Sequence, residues 1–141
     1  YSVISKEISP YRQNEISKKI GNTILYEELI ENRKRNTKLL YDNLDRNNIK
    51  LVNEEYHEGI IPMAVPIKAP VEKRTAWIEQ MKSKGILLST LIDKWNFIPQ
   101  HEQQRYKIEM NYIDSHLLIP VSEYISELNM QKIVTELNNL N

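Results

Sequence analysis

The 141-residue sequence contains no cysteine. That excludes disulfide scaffolding, thiolate nucleophiles and thiolate zinc sites, and it fits a reducing, cytoplasmic compartment. Glycine is scarce as well, limited to Gly21, Gly59 and Gly85, each far from the others. A phosphate-cradling loop needs several glycines close together, so neither a P-loop nor a dinucleotide fingerprint is possible. Charge of one sign is missing too, because 19 Lys and Arg balance 19 Asp and Glu. Without a strong positive field, nothing gathers nucleic acid or an anionic membrane surface. No apolar run approaches the roughly 20 residues of a membrane span, and no charged-then-apolar signal segment opens the chain. No G-x-S-x-G nucleophile elbow occurs. The histidines, His57, His101 and His116, do not pair at ligand spacing, so no metal site is expected.

What remains supports a folded domain. Hydrophobic residues make up 40% of the chain and charged residues 27%, enough apolar surface for a core in a chain the size of one ordinary domain. The chain opens on Tyr1 rather than Met, and Val3-Ile4 already read as structured sequence. It is therefore read as a piece of something longer. Residues 1–23 form a helical lead-in from an upstream domain, and residues 24–141 form a small domain.

Local signals mark the elements. Ser9-Pro10 is a helix start, with a hydroxyl at the N-cap and proline behind it. A long helix is predicted from Ile24 to Arg46 on a stripe of Leu25, Leu29, Leu40 and Leu44, interrupted by Arg33 and Asn36. Glu31–Arg35 and Asp42–Arg46 are favourable i,i+4 pairs on it. Ile60 to Ile67 is apolar and broken by Pro62 and Pro66, which predicts an edge or irregular strand. Pro70 begins a helix with Trp77, Ile78 and Met81 on one face and Gly85 at its left-handed end. Ile86 to Leu88 is a short strand, and Ser89 to Glu109 a long loop or broken helix. Leu117 to Val121 is the third strand, with Leu118 assigned to the sheet–helix core. Ser126 caps a final helix whose apolar face is Met130, Ile133, Val134, Leu137 and Leu140. The fold class is α+β: a small, mostly antiparallel sheet covered by helices, with a long N-terminal connecting helix.

Four side-chain groups invite a chemical reading. Arg33-Lys34-Arg35 with Lys38 points several ways from a helix beside Glu27, Glu28 and Glu31, which favours a solvated face over a nucleic-acid patch. Arg33, beside the stripe, could anchor an anion or a neighbouring chain. Glu54, Glu55 and Glu58 surround His57, but in a polar connection without an apolar pocket to shift a pKa. Trp95, Asn96, Phe97, His101 and Tyr106 concentrate aromatics in the irregular stretch. There they could wall a ligand pocket, tuck onto the sheet or face another domain.

The order and spacing of four segments resemble the C-terminal small domain of fold-type-I pyridoxal-phosphate (PLP) aminotransferases of the DegT/DnrJ/EryC1/StrS group. Arg33-Lys34-Arg35-Asn36 followed by Leu39-Leu40 and Leu44 is similar to the family's R-x-x-N helix. Gly59 through Pro66-Ile67 resembles its proline-rich strand. Met81 to Ile86 resembles its L-x-x-x-G-I helix end. His116 to Val121, then Ser126 and Met130, resembles L-L-x-L-P-V with the capped last helix. The resemblance spans about residues 24 to 140. It implies a PLP enzyme of a group that aminates nucleotide sugars and related molecules, whose cofactor lysine lies in a large domain of the same chain, with a homodimer as the intact form. It transfers no catalytic or cofactor-binding residue to this sequence, and the fragment alone is expected to be inactive and free of cofactor. The family's T-x-x-H-Y-x-P-x-H stretch is replaced here by Leu87 to Trp95. Substrate-lining candidates are Ser89, Thr90 and Trp95, which follow the strand end. The alternative is a non-catalytic protein-interaction or regulatory ligand-binding module.

Overall fold

The computed structural model describes residues 16, 19, 21, 26–90 and 99–140. The proposed lead-in, its Ser9-Pro10 start and Leu25 lie outside that range. So do Trp95, Asn96 and Phe97.

Helix α1 spans Tyr26–Asn43, shorter at its end than the stripe suggested. The stripe itself also differs. Its buried face is Asn36, Thr37 and Leu40, followed by Leu44, so Asn36 belongs to the core face and does not interrupt it. The ion pairs on α1 are Lys34–Glu31 and Lys38–Asp42, not the Glu31–Arg35 and Asp42–Arg46 pairs of the sequence reading. Arg35 turns instead to Asn32, and Arg46 to the carbonyls of Tyr41 and Glu54. In both pairs that form, the hydrogen bond and charge of the acid raise the lysine pKa.

After a turn come β1, Lys50–Leu51, then β2, Ala64–Lys68, and helix α2, Val71–Ser83. A 3₁₀ segment, Gln100–Tyr106, leads into α3, Lys107–Asp114. Strand β3 is His116–Pro120, and α4 is Glu127–Asn138. The sheet is antiparallel in the order β1-β2-β3. The stretch predicted as a loop to Glu109 is thus helical from Gln100 onward, although neither helical piece contributes a buried side chain.

The strand with two prolines is central, contrary to the edge position its missing amides suggested. The register explains how. Pro66 sits opposite Leu118, whose own N–H and C=O bond to Ser89 on the far side. The backbone of Pro66 therefore faces the β1 side, where its carbonyl accepts from the Val52 N–H at 3.1 Å. Because β1 ends at Leu51, no strand there requires the absent donor. Pro62 precedes the strand.

Helix α2 ends as its sequence predicts. Gly85 takes φ 76°, its N–H donates to Lys82, and Ile86 N–H donates to Met81, the paired bonds of a Schellman motif. Ser126 Oγ caps α4 by accepting from Asn129 N–H at 3.3 Å. Residues 86–89 alternate between buried Ile86 and Leu88 and exposed Leu87 and Ser89. Among the described residues the pairing of this segment is a single bridge from Ser89 to Leu118, so Ile86 to Leu88 do not form the predicted strand.

The core lies between one sheet face and α1, α2 and α4. Leu51, Val65, Ile67, Leu117 and Ile119 meet Leu40, Trp77, Met81, Met130, Ile133 and Leu137. Side chains at the C-terminal end of α4 tie it to the end of α1, with Asn138 donating to the Asn43 carbonyl and accepting from the Asp45 N–H. Among the described residues no helix is long and apolar enough to cross a membrane.

Candidate functional site

Period-two alternation sends Val65, Ile67, Leu117 and Ile119 into the core and turns Ala64, Pro66, Leu118 and Pro120 to the outer face, where they are half-buried. Leu118 is thus on the opposite face from the one expected. Ser89 joins this outer face. It lies opposite Leu118, which lies opposite Pro66, so the three side chains form one row across the sheet. Ser89 is exposed, and Leu87, two residues earlier, is 71% exposed. Thr90 follows, half-buried, with an Oγ1 that is shielded from solvent and has no hydrogen-bond partner among the described residues. Buried hydroxyls normally find partners, which makes Thr90 an unusual position next to an exposed serine. The structure thus brings Ser89 and Thr90 to the β3 edge; Trp95 lies outside the described residues.

A second feature was misjudged in the sequence. Because β1 stops after Leu51, the β2 edge from Ala64 to Pro66 is left open, and a hollow of about 540 Å³ occupies it. Thr37 and Tyr41 of α1 form one wall, and Val52, Ile60 and Pro62 add apolar surface. Glu54, Glu55 and His57 also line it, so these groups do have an apolar pocket. The loop carrying them is held in place. Tyr41 Oη donates to the Asn53 carbonyl, and the Arg46 guanidinium donates to the Glu54 carbonyl while lying 5.4 Å from the Tyr41 ring centre. Burial pushes the Tyr41 phenol up, partly offset by Arg46. The signal missed in the sequence was Tyr56, whose ring sits 5.6 Å from that of Tyr41 and folds the loop back onto α1.

Arg33 does anchor an anion, and that anion is internal. Its guanidinium donates through Nε and Nη2 to Glu123 Oε2. Asn36 Nδ2 donates to the carbonyls of Ser122 and Ile125 at 2.8 and 2.9 Å. The Arg33-x-x-Asn36 spacing thus clamps the turn ahead of α4. The Arg33 hydrogen bonds hold the Glu123 carboxyl below the usual glutamate range. A depressed folded-state pKa contributes stability above the unfolded value (about 4.3) that is lost as pH falls through it toward the folded value. Urea midpoints measured from neutral pH into acid are expected to fall more steeply for the native chain than for Glu123→Gln, and parallel curves would contradict the assignment.

No family profile matches the chain, and no curated protein matches its sequence. Solved structures do match its fold. Spr1654 from Streptococcus pneumoniae, a proposed sugar aminotransferase, superposes in its PLP form with a TM-score of 0.68 at 13% identity, over 82% of this chain and 32% of its own. A DegT DnrJ EryC1 StrS aminotransferase from Brucella abortus matches with a TM-score of 0.58 at 20% identity, over 80% of this chain and 31% of its own. The fold is that of one segment of these aminotransferases. TlmJ from Streptoalloteichus hindustanus, another aminotransferase, extends the match to 90% of this chain and 36% of its own, at a TM-score of 0.58 and 14% identity. The chain thus spans about a third of the length of the structures it matches.

The residues described here do not fit a cofactor site for PLP. None of the described lysines is buried, so none has the desolvated pocket that lowers the pKa of a Schiff-base lysine. Lys34, Lys38, Lys82 and Lys84 are instead engaged in ion pairs with neighbouring carboxylates.

Proposed function

We propose that residues 24–141 are the small C-terminal domain of a PLP-dependent aminotransferase, and that their outer sheet face closes one side of the substrate cleft. The large domain of the intact protein supplies the lysine and holds the cofactor, whose chemistry when bound is to act as an electron sink for amino transfer. The observation that carries this reading is the outer row of Pro66, Leu118 and Ser89, half-exposed apolar surface ending in a hydroxyl, within a fold matched to aminotransferases. Apolar flanks exclude water, while the exposed Ser89 hydroxyl can donate to or accept from a polar substrate group, with Thr90 lining beside it. Trp95 is the third proposed lining residue. A nucleotide-sugar acceptor, a homodimeric intact form and a cytoplasmic location belong to the same proposal.

Activity is expected to partition with the large domain. The 141-residue chain mixed with PLP and borohydride should yield no single-site adduct and no amino transfer, whereas the intact protein yields both. A trapped adduct with turnover in the chain alone would overturn the reading. In the intact protein, Ser89→Ala is expected to raise KM about tenfold while the urea midpoint stays put, the signature of a lost substrate hydrogen bond. An unchanged KM would remove Ser89 from the cleft.

A further inference from the structure

The strand register creates a second row with an unusual composition. Lys50 lies opposite Lys68, and Lys68 lies opposite His116. Directly opposed residues share a sheet face, so two ammonium groups and an imidazole stand side by side across all three strands. Like charges in this arrangement repel and destabilise a sheet. The chain as a whole is neutral, yet no carboxylate stands in the row itself; Glu72, in the first turn of α2 beside Lys73, is outside the cavity lining. The row opens onto a cavity of about 470 Å³ to which the N-terminal turn of α2 adds Lys73 and Pro70. Asn48, Ala69, Trp77 and Ser115 complete its lining, which contains no acidic residue.

Two of the polar groups there, His116 and Lys50, are held by hydrogen bonds, whereas Lys68 and Lys73 are exposed. His116 is buried, 5% exposed, and its Nδ1 donates to the Tyr112 carbonyl while its ring packs 4.0 Å from the Tyr112 ring. Ser115 Oγ lies 3.1 Å from the same Nδ1, and Nε2 has no hydrogen-bond partner among the described residues. Lys50 Nζ donates to the Arg46 carbonyl at 2.6 Å, which holds the side chain and leaves further N–H donors. Lys68 and Lys73 form no ion pair among the described residues. Helix α2 has no side-chain cap, so its first amides add partial positive charge to the same corner.

We infer that this cavity is an anion site that takes a phosphate group, with Lys50, Lys68 and Lys73 as its charge partners and His116 Nε2 as a positioned donor or acceptor. Three ammonium groups without a counter-charge call for a multivalent oxyanion, and a phosphate dianion offers both the charge and several acceptor oxygens. Occupancy converts a repulsive row into a bridged one. The site uses only residues of this chain; it lies on the same outer sheet face as the Pro66, Leu118 and Ser89 row, two residues along, and its test requires neither the cofactor nor amino transfer.

Inorganic phosphate titrated into the 141-residue chain, at ionic strength held constant with chloride, tests it. Saturable amide shifts at Lys68, Val71, Lys73 and Ser115 are expected, with a rise in the thermal midpoint. Lys68→Thr and Lys73→Ala should each weaken binding about tenfold. A second readout separates a ligand site from a structural one. Without phosphate, Lys68→Thr is expected to match or exceed the native thermal midpoint, because a repulsion has been removed. Shifts that fail to saturate, that chloride reproduces, or that persist unchanged in both variants would overturn the inference. So would a Lys68→Thr midpoint well below the native one without phosphate.

Discussion

Ile119→Asp is expected to abolish cooperative folding, while Leu118→Asp, one residue away, leaves the chain folded. Ile119 is fully buried between β2 and the helices. A carboxylate there has no described cation to pair with and must either ionise in an apolar core or take up a proton. It would also delete the packing of one of the central side chains of the core. The combined cost is about 4 kcal/mol or more, against a total stability of about 5–15 kcal/mol for a domain of this size. Leu118 faces outward beside Pro66 and Ser89, where its carboxylate replacement stays hydrated, so the expected loss is about 1 kcal/mol. Urea denaturation of both variants decides the phase of β3. Equal midpoints, or the reverse order, would place Leu118 in the core after all. On the proposed function, Leu118→Asp would in addition put charge on the face that lines the cleft of the intact protein.

The phase of β3 also shows why periodicity reached only part of the way. The run Leu117-Leu118-Ile119-Pro120-Val121 is apolar at nearly every position, so a two-residue period leaves no mark in it, and either face could be the core. Only the partners decide, and those are Val65 and Ile67, more than fifty residues earlier in the chain. By contrast α4, with polar residues separating Met130, Ile133, Leu137 and Leu140, declared its buried face and its Ser126 cap outright. Gly85 was equally legible, since an isolated glycine after a lysine-bearing helix end has few other uses. Central placement of a strand containing Pro66 was not, because it depends on β1 being only two residues long.

The candidate sites were legible in proportion to how local they are. Ser89 follows a sequence-visible helix stop, and it pairs with Leu118 of β3 through a single bridge, with Thr90 next to it in sequence. The carboxylates around His57 were read as lacking a pocket because its far wall, Thr37 and Tyr41 of α1, comes from a separate segment of the chain. The cationic row was invisible for the same reason. Lys50, Lys68 and His116 are scattered over 67 positions, and the strand register alone aligns them. Arg33 was suspected of holding an anion, but nothing local could point to Glu123, 90 residues away.

Asn36 is expected to be the most sensitive polar residue of the chain. It is fully buried, and both hydrogens of its amide are used, one on the Ser122 carbonyl and one on the Ile125 carbonyl. Those two oxygens belong to the turn that carries Glu123 and sets the start of α4, so one side chain fastens α1 to the last helix. Asn36→Leu keeps the volume and removes both donors, stranding the Ile125 carbonyl and leaving the Ser122 carbonyl with the Ile125 N–H alone. At about 1–3 kcal/mol for one unsatisfied group and about 1 kcal/mol for the second lost bond, the loss is about 2–4 kcal/mol. Asn36→Asp is worse at neutral pH, because a carboxylate facing two carbonyl oxygens replaces two attractions with repulsion. Protonation restores one donor, so the penalty of Asn36→Asp should shrink as pH falls, whereas that of Asn36→Leu should not. Thr37→Val supplies the control. Thr37 is buried to the same degree, but its hydroxyl bonds only the Arg33 carbonyl one turn back, which already has a place in the helix. Its loss should stay near 1 kcal/mol. Hydrogen exchange locates the effect: in Asn36→Leu the amides of Ile125 and Met130 lose protection before those of β2 and β3. Uniform loss across the domain, or a Thr37→Val penalty as large as that of Asn36→Leu, would show that Asn36 contributes as general packing and not as the clamp on this turn.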